Sequence, residues 1–329
     1  MKFGILEAHL GKFGKMTVDL TIITPCFNES QSVELCANEI KSIMISKLPY
    51  VSYEHIFIDN CSTDGTDEII KRMCNLDKKI KLLVNSKNVG AFKSIYLALN
   101  HASGEAIIPM YAADLQDPAY VIEDFYKLWK QGSMIVFGVR KNRRENIILK
   151  SIRTLYYRII QKLANNYIPI NAGEFLLADK RIVDSLLKLN DHQPYIRGLI
   201  AATGAKYSVV EYFMKKRVHG KTKTNLIRLI DIAVNGLIST SRIPARLILI
   251  FGFVISCTGM FLAISSLLSS LFLDHRPLIS LSTNSQLIIF LSGIQIFFLG
   301  LIGEYVLSIH SQVRREPESF FLAKINFEL

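Results

Sequence analysis

The sequence predicts an α/β domain with a mostly parallel sheet, followed by amphipathic helices and two transmembrane helices. Three observations predict it. Short β-branched runs alternate with helical patterns from Leu20 to Met110. Clusters of Asp, Asn and Ser come directly after those runs. Beyond Pro244 the chain turns strongly apolar, whereas before about residue 225 it carries scattered charge like a soluble protein.

Leu20 to Thr24, stopped by Pro25, is a strand. A helical pattern follows from Ser30 to Ile45. His55 to Ile58 is the next strand and ends at Asp59. Ser62-Thr63-Asp64-Gly65 has turn and cap chemistry and opens a helix running through Met73. Lys81 to Val84 is a third strand, and Asn88-Val89-Gly90 leads into another helix. Ala106 to Met110 is a fourth strand, ending near Asp114. This alternation calls for crossover connections, hence a mostly parallel sheet with helices on both faces. In such sheets ligands bind beyond the carboxyl ends of the strands. The polar clusters sit at those ends, which makes that edge the candidate active site.

From Leu247 to Leu273 only small polar residues interrupt an apolar run longer than the roughly 20 residues a spanning helix needs. Gln286 to Ile309 is a second such run, with Glu304 near its end as either a partner for a basic group or a carboxylate reaching the interface. Asp274-His275-Arg276-Pro277 breaks the helix between them. Arg242 and Arg246 precede the first run, while Arg314, Arg315 and Lys324 follow the second. The positive-inside rule then puts both ends in the cytoplasm. The expected organisation is a cytoplasmic domain over residues 1–224, an interfacial helix over 225–246, a transmembrane hairpin over 247–309 and a cytoplasmic tail over 310–329. The expected location is the cytoplasmic membrane, crossed more than once. Asn225 to Ser239 and Asn146 to Ile168 each combine an apolar face with basic residues, which suits either a bilayer surface or core packing.

The 329 residues leave room for one large domain or two ordinary ones. A net charge of +11 suits an anionic partner, whether a phosphate ligand, a membrane surface or nucleic acid. Cys26, Cys36, Cys61, Cys74 and Cys257 are odd in number and lack paired spacing, which excludes a disulfide framework and a zinc site. Met1 to Met16 holds no apolar run of signal-peptide length, so secretion is not expected.

Asp59, Asp64, Asp114, Gln116 and Asp117 are read as oxygen ligands converging at the strand ends, where Mg²⁺ or Mn²⁺ bridging to a diphosphate would compensate them. Each Asp taken singly also suits a helix cap or Asx-turn, and Asp64 most of all. The sequence holds no P-loop and no G-x-G-x-x-G motif.

Pro25-Cys26-Phe27-Asn28-Glu29, Ile58-Asp59-Asn60-Cys61-Ser62-Thr63-Asp64-Gly65-Thr66 and Ala113-Asp114-Leu115-Gln116-Asp117-Pro118 resemble, in order and spacing, the serial motifs of glycosyltransferase family 2. Asn171-Ala172-Gly173-Glu174-Phe175, Arg217-Val218-His219-Gly220-Lys221-Thr222-Lys223, Gly303-Glu304-Tyr305 and Arg315-Glu316-Pro317 resemble further segments of its polyprenyl-phosphate branch. The resemblance covers about residues 18 to 317. It implies a GT-A-type fold and inverting transfer of a sugar from a nucleotide-sugar, UDP before GDP, to a polyprenyl phosphate.

Carried over by position, Pro25, Phe27, Glu29 and Asp59 would hold the base and ribose, with Asn88, Ala113 and Asp114 also in the nucleotide-sugar site. Asp114 and Gln116 would hold Mg²⁺ or Mn²⁺ and the diphosphate. Arg140, Arg153, Arg217 and Lys223 would clamp the lipid phosphate, for which Arg has bidentate donors. Asp117, Glu174 and Arg140 are the expected catalytic residues, the two carboxylates acting as base or orienting sugar hydroxyls. The sequence departs from the pattern at Ala112, where the family's first D-x-D acid stands, and at Asn60, the second position of the D-D pair. Ala112 removes a metal ligand and motivates a catalytically silent nucleotide-sugar-binding subunit as an alternative. A glycan or lipid-linked oligosaccharide hydroxyl is the alternative acceptor. The expected partners are a nucleotide-sugar, a polyprenyl phosphate lipid and the membrane, without nucleic acid. Relatives imply a homo-oligomer, although the chain shows no heptad seam.

Overall fold

The computed structural model describes residues 18–141, 169, 172–189, 195–215 and 320–327, together with isolated helical positions between 288 and 313. The chain divides into two compact units. The first holds every strand and helix described below, and the isolated positions belong to the second.

In chain order the elements are β1 (Leu20–Cys26), α1 (Val33–Lys47), β2 (Tyr53–Asp59), α2 (Thr66–Leu76), β3 (Ile80–Asn85), α3 (Ala91–Leu99), β4 (Ala106–Ile108), α4 (Val121–Lys130) and β5 (Ile135–Arg140). They continue with β6 (Ala172–Asp179), α5 (Lys180–Leu187), α6 (Ile196–Ala202), β7 (Tyr207–Tyr212) and β8 (Phe321–Ile325). The strands form one sheet in the order β7-β5-β6-β4-β1-β2-β3-β8. The pairs β1–β2, β1–β4, β2–β3 and β5–β7 are parallel, while β6 runs antiparallel to β4 and β5, and β8 antiparallel to β3. The α/β fold with a mostly parallel sheet expected from the GT-A-type resemblance is therefore the one found.

Strand periodicity decides which side chains go to which face. Ile56 and Ile58 join α3, α5 and α6 on one side, through Ile95, Leu99, Ile182, Leu186 and Ile200. Phe57 between them joins α1, α2 and α4 on the other, with Val33, Ile40, Ile70, Ile122 and Phe125. All of β2 is buried, as a central parallel strand covered on both faces must be.

From β1 the chain winds outward through β2 and β3, then returns to place β4 on the other side of β1. That reversal opens a crevice beyond the carboxyl ends of β1 and β4, the place where open α/β sheets bind ligands.

The interfacial helix expected over 225–246, the first apolar run at 247–273 and the helical pattern at 146–168 lie outside the described residues. Among the described residues no helix is long and apolar enough to cross a membrane. Within the expected tail, residues 321–325 form the edge strand β8.

Candidate active site

Three non-glycine residues with left-handed backbone stand just beyond the ends of β1, β2 and β4: Asn28 (φ 55°), Cys61 (φ 61°) and Leu115 (φ 58°). Such conformations are uncommon outside glycine and collect at functional sites. The first two loops are sewn together. The backbone N–H of Asn28 donates to Ser62 Oγ at 2.9 Å, that of Thr63 to Asn28 Oδ1 at 2.9 Å, and that of Glu29 to Thr66 Oγ1 at 2.9 Å. Asp64 accepts from the N–H groups of Ser30 and Thr66, both at 3.1 Å. Burial opposes its charge, yet the hydrogen bonds from Thr66 and Ser30 prevail and hold its carboxyl below the usual range. Asp64 is a loop brace, the Asx-turn role the sequence favoured for it.

Asp59 closes β2 and is almost wholly buried. Burial pushes its carboxyl above the usual range, although Ser62 donates to it from both its N–H and its hydroxyl. Pro25 is the penultimate residue of β1 and Phe27 lies just beyond that strand, 36% exposed. Glu29 accepts from Ser32 Oγ at 2.9 Å, and the exposed Asn88 accepts from the Gly90 N–H at 2.9 Å ahead of α3. Asn60, the departure from the D-D pair, is buried and accepts from Asn85 Nδ2 (3.0 Å) and Ser94 Oγ, joining β2 to β3 and α3. A second carboxylate there would be a buried charge, so the amide suits the position.

The loop from β4 to α4 carries Ala113, which is buried, and the half-buried Asp114 and Gln116. Asp114 Oδ1 accepts from the Gln116 N–H at 3.1 Å. Asp117, 4% exposed, accepts from Arg140 Nε at 3.1 Å, Arg140 Nη2 at 2.9 Å and the Tyr212 hydroxyl at 2.6 Å. Burial alone would lower the Arg140 pKa, but the adjoining Asp117 raises it well above the ordinary value. Burial and Asp117 together push the Tyr212 phenol up. Glu174, on β6, lies 3.4 Å from Arg197 Nε. Lys215 donates its N–H to the Gln116 carbonyl at 2.8 Å and its ammonium to Glu39 at 2.7 Å.

The structure thus joins Asp117 to Arg140 and Glu174 to Arg197. Arg153, Arg217 and Lys223 lie outside the described residues. Sequence reasoning missed Tyr212, Arg197 and Lys215. Tyr212 ends a β-branched run and is 95 residues from Asp117, so no local spacing signals the pair.

Among the described residues no three His, Cys, Asp or Glu side chains are grouped to hold a metal ion. The wider convergence of carboxylates expected at the strand ends is not found there, because Asp64 and Asp117 are engaged within the protein. The donors expected for a metal are one carboxylate, Asp114, and one amide, Gln116, both half-buried. That donor set fits a small hard cation keeping most of its shell as water and substrate oxygens.

Residues 21–187 match the family model described as Glycosyl transferase family 2. The chain is 30% identical to an uncharacterised glycosyltransferase, YkcC, of Bacillus subtilis (strain 168), over 91% of this chain and 92% of that protein. It is 28% identical to the prophage bactoprenol glucosyl transferase homolog of Escherichia coli (strain K12), over 91% of this chain and 97% of that protein. Among solved structures it is similar to the mannosyltransferase PcManGT from Pyrobaculum calidifontis in complex with GDP-Man and Mn²⁺. That likeness has 15% identity and a TM-score of 0.48, and covers 90% of this chain and 88% of the other.

Proposed function

The chain belongs to glycosyl transferase family 2 and is a glycosyltransferase, and from that membership we propose that it moves a sugar from a nucleotide-sugar, UDP-linked before GDP-linked, onto a polyprenyl phosphate at the cytoplasmic face of a membrane. The observation that carries the choice of acceptor is the state of the two carboxylates put forward as bases. Asp117 is ion-paired with Arg140 and bonded to Tyr212, and Glu174 faces Arg197. A sugar hydroxyl needs a base to take its proton, whereas a phosphate oxygen is already anionic at neutral pH. A site whose candidate bases are held by arginines suits the second acceptor. The similarity to a protein called a bactoprenol glucosyl transferase homolog supports the same reading.

In this reading Phe27 lies against the base and Asp59 near the ribose, with Pro25, Glu29, Asn88 and Ala113 lining the nucleotide-sugar site. Asp114 and Gln116 would hold Mg²⁺ or Mn²⁺, which when bound would supply positive charge at the diphosphate. The protein positions donor and acceptor for in-line attack, so catalysis rests on orientation and on cationic groups at the diphosphate. Arg153, Arg217 and Lys223 supply positive charge for the lipid phosphate. Arg140, cancelled by Asp117, contributes less of it than its sequence position suggests.

The membrane hairpin is part of the proposal, and β8 supports it. Residues 321–325 pair with β3, in the same unit as β1 to β7. A chain that leaves this unit after β7 and rejoins its sheet at β8 crosses any bilayer an even number of times. Two crossings over 247–309 satisfy that count and leave the domain and the C-terminus on one side, which the basic flanks of the two runs make the cytoplasmic one.

The test is transfer from radiolabelled UDP- and GDP-sugars to undecaprenyl phosphate by membranes containing the chain, with and without Mg²⁺ or Mn²⁺. The expected result is a mild-acid-labile lipid product that names the sugar. Label appearing only in a glycan, or no lipid product with any donor, would sink the proposed acceptor.

A further inference from the structure

We propose that Tyr212 is a positioning residue of the donor site, fixing Asp117 and through it the loop that carries Asp114 and Gln116. The inference rests on the reading of that loop as the donor-diphosphate site.

Tyr212 is the last residue of β7 and is 2% exposed. Its ring meets Phe175 edge-on at 5.9 Å. Gly138, on the neighbouring β5, makes room for both: a Cβ there would lie 2.6 Å from the Phe175 carbonyl oxygen and 2.9 Å from Tyr212 Cε1. The hydroxyl donates to Asp117 Oδ1 at 2.6 Å and accepts from Arg140 Nε at 3.3 Å. Gly173 brings the β6 backbone close to the same guanidinium, since a Cβ there would meet Arg140 Nε at 3.4 Å. A phenol, a guanidinium and a carboxylate from three separate parts of the chain are thus locked in one buried cluster, each satisfying the others.

The loop is seated on the core by Ala113, Leu115 and Ala119, and its polar side is held by hydrogen bonds. Within it, Gln116 N–H reaches Asp114 Oδ1, and Leu115 N–H reaches the Ala112 carbonyl at a long 3.4 Å, with Leu115 in the left-handed region. Two of its external attachments are the Asp117 carboxylate and the Gln116 carbonyl, and the stretch 212–215 supplies a donor to each: the Tyr212 hydroxyl and the Lys215 N–H. The end of β7 therefore braces the loop at Gln116 and Asp117. A tyrosine wanted only for packing would not need its hydroxyl, and Tyr212→Phe removes that group while keeping the ring.

The experiment compares full-length wild type, Tyr212→Phe and Asn326→Ala in detergent. Asn326 lies at the opposite edge of the sheet and controls for lost stability. Amide hydrogen exchange over residues 113–119 is measured without ligand, and steady-state kinetics are measured with UDP-glucose or GDP-mannose, Mn²⁺ and undecaprenyl phosphate. Loss of a hydrogen bond to a charged group predicts, for Tyr212→Phe, exchange about tenfold faster in this loop and a donor KM about tenfold higher. kcat and acceptor KM stay within about twofold, because the chemistry and the lipid site keep their groups. Asn326→Ala loses thermal stability but leaves all these quantities at wild-type values. Unchanged loop exchange in Tyr212→Phe would overturn the proposal, as would equal shifts in both variants. Should wild type show no transfer, the proposed function fails, while the exchange data still decide the role of Tyr212.

Discussion

Two buried side chains show how environment, not residue type, decides chemistry. Asp117 follows the motif in which a general base is sought, yet its oxygens accept from Arg140 and Tyr212. Replacing it would leave a buried guanidinium without its counter-charge, so loss of activity in such a variant reports on the scaffold and not on proton transfer. His55 is the second case. It is 1% exposed, with Nε2 2.8 Å from Thr24 Oγ1, and burial lowers its pKa from 6.5 to about 3. The unfolded chain therefore takes up a proton that the folded chain refuses. Stability from this residue is complete above pH 6.5 and falls as the pH drops toward 3, by about 1.4 kcal/mol per pH unit. Replacement by Gln, which keeps a partner for Thr24, should flatten the fall in Tm between pH 6.5 and 5. A slope equal to that of wild type would show that other groups dominate acid sensitivity.

At the level of elements, α2 and β8 depend on each other. α2 starts at Gly65 (φ 82°), without a side-chain cap, and is held at that end by Asp64 and Thr66. One of its C-terminal carbonyls finds its partner far away in sequence: Asn326 Nδ2 donates to Cys74 O at 2.7 Å and also to Ile80 O, at the start of β3, at 2.8 Å. Asn326 itself is left-handed at φ 64°, a conformation its amide tolerates better than alanine does. Asn326→Ala should cost about 2 kcal/mol and lower Tm by roughly 4–8 °C, read by thermal unfolding of the full chain. A shift under one degree would mean that water replaces the amide without penalty.

For the whole molecule, β8 decides what the sheet shows to its surroundings. β3 would otherwise be an edge, presenting the unpaired backbone of Leu82, Leu83 and Val84. β8 covers it through the pairings Leu82↔Ile325, Leu83↔Lys324 and Val84↔Ala323. The strand is seated further by His101, whose ring meets Phe321 at 5.2 Å and Phe327 at 5.6 Å. A bare apolar edge strand is a template for pairing with another chain. A chain ending before residue 320 should therefore form larger species that grow with concentration, visible by size-exclusion chromatography with light scattering. The same size distribution as wild type would show that β8 is dispensable as an edge cover.

Much of this protein is local and so legible in the sequence. Leu20 to Thr24, His55 to Ile58 and Lys81 to Val84 announce strands because β-branched and apolar residues bounded by turn chemistry suit few other structures. The positions of Phe27, Asp59 and Asp114 at strand ends follow from those boundaries and from the family motifs that span them. The interlocked loops after β1 and β2 keep the order of their residues, which is why Asp64 could be read as a brace. Only the tertiary structure decided which charges survive to act. The pairing of Asp117 with Arg140 and Tyr212, of Glu174 with Arg197, and of β8 with β3 all join residues far apart along the chain. Such contacts depend on how crossovers bring strands together, and a single sequence records the donors and acceptors but not the distances between them.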